Sequence, residues 1–251
     1  MIRLVLALML LALPLRAEEI VSGLSQSRVS ITANFDGTAI LIYGAAVRNA
    51  PPPNWPLLQV IVTVEGPSAP VIVRHKERVA GIWINQGAVR VDSAPSFYAV
   101  ASTGVLADIL TETEDLRYRI SLPLAIRAVG IAGEAKDAPA YVEALQRIRT
   151  TAGDYRLAPD SVLLLQQALF RTEVTLPANL VEGNYKVRIF LTRGGAVIDS
   201  QESQIDVRKA GLERFLFNLA QQQPLIYGLA SLLLAAVAGW GASEAFRRLR
   251  I

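Results

Sequence analysis

"RVSITANF" (Arg28–Phe35) alternates without a break: Val29, Ile31, Ala33 and Phe35 take one side, and Ser30, Thr32 and Asn34 the other. An apolar residue at every second position is the pattern of a strand with one buried face. Asp36-Gly37 follows, a dipeptide that tolerates positive φ at both positions, and "AILIYGAAV" (39–47) resumes the apolar run. This spacing predicts a hairpin. Downstream, "LLQVIVTVE" (57–65) reads as a strand closed by "GPSAP". "VIVRH", "AGIWIN" and "AVRVD" follow, with turns predicted at Lys76-Glu77 and Asn85-Gln86-Gly87, and "PSFYAVAS" (95–102) adds one more extended piece. Short strands with turn signals between them predict an antiparallel sandwich or barrel over residues 18–103.

At Gly104 the pattern changes. "GVLADILTETEDL" reads as a short helix, "RYRISLPLAIRAV" as extended, and "GIAGEAKDAP" as a linker. "APAYVEALQRIRTTAG" (138–153) carries Val142, Leu145, Ile148 and Arg149 at helical spacing, with Pro139 near its start and Gly153 at its end. Those are helix start and stop signals. Residues 104–168 thus form a helical and linker segment. "LFRTEVTLP", "GNYKVRIFLT", a Gly194-Gly195 turn and "AVIDSQESQIDVR" then predict a second β unit over 169–210. The fold class expected is mainly β: two antiparallel sandwich-like units, an intervening helical segment and a C-terminal transmembrane helix.

The two ends carry targeting information. Arg3 precedes an apolar run from Leu4 to Leu13, Pro14 breaks it, and Leu15-Arg16-Ala17 offers a small residue for cleavage. That is the layout of a secretory signal peptide over 1–17, and the run is shorter than the roughly 20 residues a span needs. The alternative is an uncleaved N-terminal anchor. No charged residue occurs from Phe215 through Ser243. Leu225 to Ala242 would cover roughly 27 Å as a helix, enough for a bilayer core. Tyr227 and Trp240 stand near its ends, and Arg247, Arg248 and Arg250 follow. Basic residues after a span stay cytoplasmic. Residues 224–243 are therefore read as a transmembrane helix and 244–251 as a cytoplasmic tail. In "GLERFLFNLAQQQ" (211–223), Leu212, Phe215, Leu216 and Leu219 share one face, which predicts an amphipathic juxtamembrane helix. The expected location is the bacterial inner membrane, with the bulk of the chain in the periplasm.

The charge balance fits that division. The chain is +3 overall, but 5 of its 25 basic residues and 1 of its 22 acidic residues lie in the terminal segments. Residues 18–223 keep 20 basic and 21 acidic residues. The excess basicity belongs to topology, so a nucleic-acid partner is not expected. Cysteine is absent. An exported chain of this kind rests on apolar cores rather than disulfides.

Several stretches together resemble one family. They are "NFDGTAILIYGA" (34–45), "ERVAGIWIN" (77–85), "PSFYAVAS" (95–102), "LFRTEVTLPANLVEGNYKVRIFLTRGG" (169–195) and "GLERFLFNLAQQQPLIYGLASLLLAAVAGW" (211–240). The chain resembles the alphaproteobacterial "putative transmembrane protein" family, a domain of unknown function. "PPPNWP" (51–56) departs from its pattern. The resemblance implies a secreted N-terminal part and one C-terminal span. It implies no reaction, and a loose association with sulfite-exporter-like permeases makes a permease a conjectural partner.

Catalytic motifs are absent: there is no G-x-S-x-G, S-x-x-K, H-E-x-x-H, Walker loop or G-x-G-x-x-G. The reading therefore assigns no catalytic, cofactor-binding or metal-ligating residue, and no enzyme activity. His75, the one histidine, reads as a strand-end residue, and Glu112, Glu114 and Asp115 as a solvated helix face. Two candidate surfaces remain. Arg74, Lys76 and Arg78 alternate and could share a face for an anion or a lipid headgroup. Ser231, Ala235, Gly239 and Ser243 recur every four residues along the span, where small residues let another helix approach. "PPPNWP" is a stiff connector or a recognition loop presenting Trp55. Two functions stay open. One is an interaction or accessory module that holds an integral-membrane partner, or self-associates, through its span. The other is a small-ligand binder or enzyme with a site between the β units. A flat apolar patch favours the first, and a deep pocket with converging polar groups the second.

Overall fold

The computed structural model describes residues 18–32, 34–48, 51, 55–128, 138–210 and 212–249. Along the chain run β1 (Glu19–Leu24), β2 (Arg28–Ile31), β3 (Thr38–Val47), β4 (Leu58–Glu65), β5 (Ser68–Val79), β6 (Ile82–Pro95) and β7 (Tyr98–Ser102). Then come α1 (Leu106–Ile109), α2 (Glu112–Tyr118), α3 (Leu122–Ala125) and α4 (Ala138–Thr151). After them lie β8 (Tyr155–Ala158), β9 (Leu163–Leu165), β10 (Leu169–Leu176), β11 (Gly183–Arg193) and β12 (Ala196–Lys209), then α5 (Leu212–Gln222) and α6 (Pro224–Leu249). The protein is mainly β, as its alternation predicts.

Alternation sets the faces of the strands. In β10, Phe170, Thr172, Val174 and Leu176 are buried, and Leu169, Arg171, Glu173 and Thr175 are exposed. β4 differs: every residue from Val60 to Val64 is buried, so both of its faces are covered. The strands form a four-stranded sheet ordered β1-β3-β10-β9, a six-stranded sheet ordered β2-β12-β11-β4-β7-β8, and the two-stranded ribbon β5-β6. Hydrogen bonds tie the two larger sheets together. Ile20 N–H donates to the Asp199 carboxylate at 2.8 Å, and Leu58 N–H to Gln167 Oε1 at 2.6 Å.

The two β segments, 18–103 and 169–210, share their sheets. β3 pairs with β10, placing Ile42 opposite Thr172, and β4 pairs with β11, placing Val62 opposite Ile189. The described residues of 18–29 and 36–207 fall in one compact unit. Between the segments lies a crossover. β7 and β8 are parallel, with Tyr98 opposite Tyr155, and parallel neighbours cannot be joined by a tight turn. The helices α1 to α4 lie in that connection. They cover one face of the six-stranded sheet, where Ile109, Leu110, Ile120, Leu122 and Leu145 cluster with Ile61, Tyr98 and Phe190.

Four expectations are corrected. Asp36-Gly37 does not close a hairpin, because β2 lies in the six-stranded sheet and β3 in the four-stranded one. Neither turn expected within the ribbon forms: Lys76-Glu77 continues β5 and Asn85-Gln86-Gly87 continues β6, and the chain reverses at Ala80-Gly81, where φ is 50° and 88°. The stretch "RYRISLPLAIRAV" is not extended throughout, since Leu122–Ala125 is helical with Pro123 in its first turn. The segment 104–168 also holds β8 and β9. The linker reading of 130–137 and the signal peptide over 1–17 lie outside the described residues.

The described residues of 30–35 and 208–249 form the second compact unit. There Ala210 N–H donates to the Ile31 carbonyl at 2.9 Å. α5 is the expected amphipathic helix, with Phe215 and Leu216 exposed. α6 is one helix of 26 residues, and its stretch Pro224–Glu244 is long and apolar enough to cross a membrane. None of that stretch is buried by the rest of the chain.

Candidate interaction surfaces

Polar groups that sequence patterns single out are used by the fold. Asp115 Oδ1 accepts from the N–H groups of Ile120 and Ser121, at 3.1 and 2.7 Å, and so fastens the chain leaving α2. Glu114 pairs with Arg117 at 2.9 Å and accepts from Val197 N–H at 3.4 Å. Glu112 is exposed beside them, as a solvated helix face predicts. An open groove of about 710 Å³ lies beside them, lined by Leu106 to Asp108, Leu110 to Glu112, Asp115, Ser121 and the Gly194-Gly195 turn. Asp115, its clearest acceptor, is already committed to backbone. Among the described residues, no group of three or more His, Asp or Glu side chains is arranged to hold a metal. His75 is exposed on β5, and Trp55 is 79 % exposed in its loop, where Pro52 to Asn54 lie outside the described residues.

Two buried charge clusters serve architecture. The Glu18 carboxylate lies 2.7 Å from Arg193 and 3.3 Å from Arg48, with all three side chains nearly buried. Arg193 also donates to the Pro56 carbonyl at 2.6 Å. Arg188 donates to the carbonyls of Tyr118 and Arg119 and to the Tyr98 hydroxyl. The Tyr98 hydroxyl donates in turn to the Ile120 carbonyl at 2.7 Å. Burial pushes the Tyr98 phenol up to about 12, against a smaller opposing pull from Arg188.

The outer face of the four-stranded sheet has no such account. Register places Val21, Ala45, Leu169 and Leu165 in one rank across all four strands. The next rank is Gly23, Tyr43, Arg171 and Leu163. Directly paired residues share a face, so these side chains are neighbours. Val21, Leu163, Leu165 and Leu169 are each more than half exposed. Gly23 matters to this surface: a Cβ there would stand 2.9 Å from Tyr43 Cζ, so the bare backbone lets the ring lie over the edge strand. A shallow depression of about 410 Å³ runs along the ranks, and Arg171 is its one charged lining residue. A solvated sheet face ordinarily alternates to polar side chains. Contiguous exposed apolar patches are characteristic of interaction sites, which makes this face a candidate interaction surface. Sequence reasoning missed it. The available signal was a strand apolar at both parities: "AILIYGAAV" has no polar face to give to water.

The candidate cations Arg74, Lys76 and Arg78 do come together. All three are exposed on one face of the β5-β6 ribbon, and Trp83 stands directly opposite Arg78. In α6, Ser231, Ala235, Gly239 and Ser243 are all exposed. Ser231 turns its hydroxyl back to the Tyr227 carbonyl at 2.8 Å, and a Cβ on Gly239 would meet nothing within 4 Å.

A family model described as "Putative transmembrane protein (Alph_Pro_TM)" matches residues 19–248. No curated protein matches the chain. Among solved structures, the sporulation control protein Spo0M from Bacillus subtilis is similar at 10% identity and a TM-score of 0.30, covering 82% of this chain and 55% of that one. The chain thus spans about half the length of that relative, and a likeness so slight carries no argument.

Proposed function

The chain belongs to this transmembrane family, and on that premise we propose that it is a single-pass accessory module that holds an integral-membrane partner. Its β part lies outside the cytoplasm, its span is α6, and the arginines from Arg247 onward keep the C-terminus inside. The partner docks on the outer face of the four-stranded sheet. The observation that carries this reading is the rank Val21-Ala45-Leu169-Leu165, apolar across the full width of the sheet, with Val21, Leu165 and Leu169 each more than half exposed. An anchored protein meets partners in its own membrane at a high effective concentration, so a modest apolar face suffices. A permease loop of matching apolar character is the kind of partner that fits. The role is binding rather than catalysis. The groove beside α2 supports the second reading, a small-ligand site, less well, because its best acceptor already holds two backbone N–H groups.

Topology is tested by reporter fusions. Alkaline phosphatase fused after Ile251 is inactive, and the same enzyme fused near Gln201 is active. The reverse pattern overturns the orientation. Docking is tested by placing charge on the face with Leu165→Glu, which breaks co-purification of the partner and leaves the melting transition in place.

A further inference from the structure

The β5-β6 ribbon extends past its own core. Near its base, Val71, Val73, Val89 and Val91 pack with Leu145 and Tyr141 of α4. Beyond Val73 no described side chain is buried until Val89. A two-stranded ribbon without a packed face is marginal in water. Even so, this one ends in large apolar side chains: Ile82 is 66 % and Trp83 69 % exposed, and Val79 and Ile84 flank them. Gly81, at the reversal, has nothing within 4 Å of where a Cβ would stand, and Val79 through Asn85 are all exposed.

The charges are sorted by face. Register pairs Arg74 with Ala88, Lys76 with Asn85 and Arg78 with Trp83. These three pairs share one face and bring three cations and an indole together toward the tip, and Arg90, opposite Ile72, continues the same face toward the base. Glu77 pairs with Ile84 and Val79 with Ile82 on the other face. The fold maintains this sorting across an irregularity. The register shifts between Arg74 and His75, where Gly87 is the extra residue of β6. Gly87 has φ 72° there, and a Cβ would come 2.8 Å from the Tyr141 hydroxyl.

We propose that the tip of this ribbon docks on the surface of an anionic bilayer, with Trp83 and Ile82 at headgroup depth and Arg74, Lys76 and Arg78 against the lipid phosphates. Tryptophan favours the headgroup level, where its ring is half in water. Each cation near an anionic surface adds attraction that salt screens. The apolar tip supplies the burial that the ribbon lacks in water. The chain's own span already holds it at a membrane, which favours a lipid partner over an acidic protein. The ribbon then forms a second membrane contact, separate from the sheet face that holds a protein partner.

The test uses the full chain in lipid nanodiscs. Trp55→Phe with Trp240→Phe leaves Trp83 as the only tryptophan. Brominated lipid chains quench an indole that reaches the bilayer. In discs containing phosphatidylglycerol, Trp83 loses most of its emission to brominated lipid. In pure phosphatidylcholine discs the loss is much smaller, and high salt reduces it only in the phosphatidylglycerol discs. Joint substitution Arg74→Ser, Lys76→Ser and Arg78→Ser removes the preference for phosphatidylglycerol. An unquenched Trp83 in both kinds of disc overturns the proposal, as does equal quenching in both. The comparison of lipids needs no charge variant, so it decides the matter even if the triple variant folds poorly. It does not depend on the apolar sheet face, so either surface can fail alone.

Discussion

Arg188 on β11 donates from Nη1 to the carbonyl of Tyr118, the last residue of α2, at 2.6 Å. The same guanidinium reaches the Arg119 carbonyl at 3.1 Å and lies 5.4 Å from the Phe190 ring centre. Arg119 is left-handed at φ 53°, so its carbonyl turns away from the helix and needs an outside donor. Arg188 supplies it and binds the crossover to the six-stranded sheet. Arg188→Met should therefore destabilise the β part by about 2–4 kcal/mol, the scale of lost charge-assisted hydrogen bonds with carbonyls left unpaired. Arg188→Lys should recover only part of this, because an ammonium cannot reproduce the planar fork. Chemical denaturation of the full chain in detergent, followed by far-UV circular dichroism, measures both. A midpoint unchanged in Arg188→Met contradicts the account.

Alkaline pH should weaken the same region. Burial raises the Tyr98 and Tyr155 phenols from 10.0 to about 12, and it raises Tyr185 as well. Between these values the folded protein holds protons that the unfolded chain has released. Stability is therefore complete below about pH 10 and falls as pH climbs toward 12. The melting temperature should hold steady from pH 7 to 9.5 and drop above 10. Tyrosinate absorbance should show a late fraction that ionises only with unfolding. A melting temperature flat through pH 11.5 argues against buried, neutral phenols.

Glu18 begins the described chain as a buried carboxylate between Arg48 and Arg193. Removing it leaves two buried guanidinium groups without their counter-ion. Glu18→Ala should cost about 3–5 kcal/mol, while exposed Glu19→Ala should cost almost nothing. The difference in denaturant midpoint between the two variants is the measurement. Cleavage after Ala17 would make Glu18 the first residue of the mature chain, and N-terminal sequencing of the membrane-extracted protein reads that directly.

Much of this fold is written in alternation, and part of it is not. β10 and the β11-β12 hairpin follow from period and from the Gly194-Gly195 turn. α4 and α6 follow from helical spacing and hydropathy. The Asp36-Gly37 turn misleads because a two-residue turn signal fixes a local reversal, not the neighbour of either strand. β2 found a partner in β12, far along the chain. The parallel pair β7-β8 was illegible for the same reason, since no local pattern announces a crossover. The cation row Arg74, Lys76 and Arg78 was legible because it obeys strand period. The apolar sheet face was not, because it needs four strands from three parts of the chain in register.

The span offers its own test. Ser231, Ala235 and Gly239 present small residues along one side of α6, and nothing in the described chain covers them. Close helix contact there gains packing that lipid does not provide. Gly239→Ile should weaken association of the span by about 1–2 kcal/mol, and Leu233→Ile, on another face, should not. A reporter of helix association in membranes compares them. Equal signals from both variants and the parent mean that the stripe faces only lipid.

The most direct measurement places a photo-reactive residue at Leu165, on the apolar face, and at Ile198 of β12, outside those ranks, in cells that make the full chain. The chain has no cysteine, so thiol cross-linkers on Leu165→Cys and Ile198→Cys repeat the experiment with independent chemistry. The account predicts that Leu165 yields a discrete adduct with an integral-membrane protein and that Ile198 does not. It predicts further that charge on the same face, Val21→Glu, abolishes the adduct while the melting transition persists. An adduct only with a second copy of the chain, or the same pattern from both positions, would contradict the assignment of this face to an integral-membrane partner.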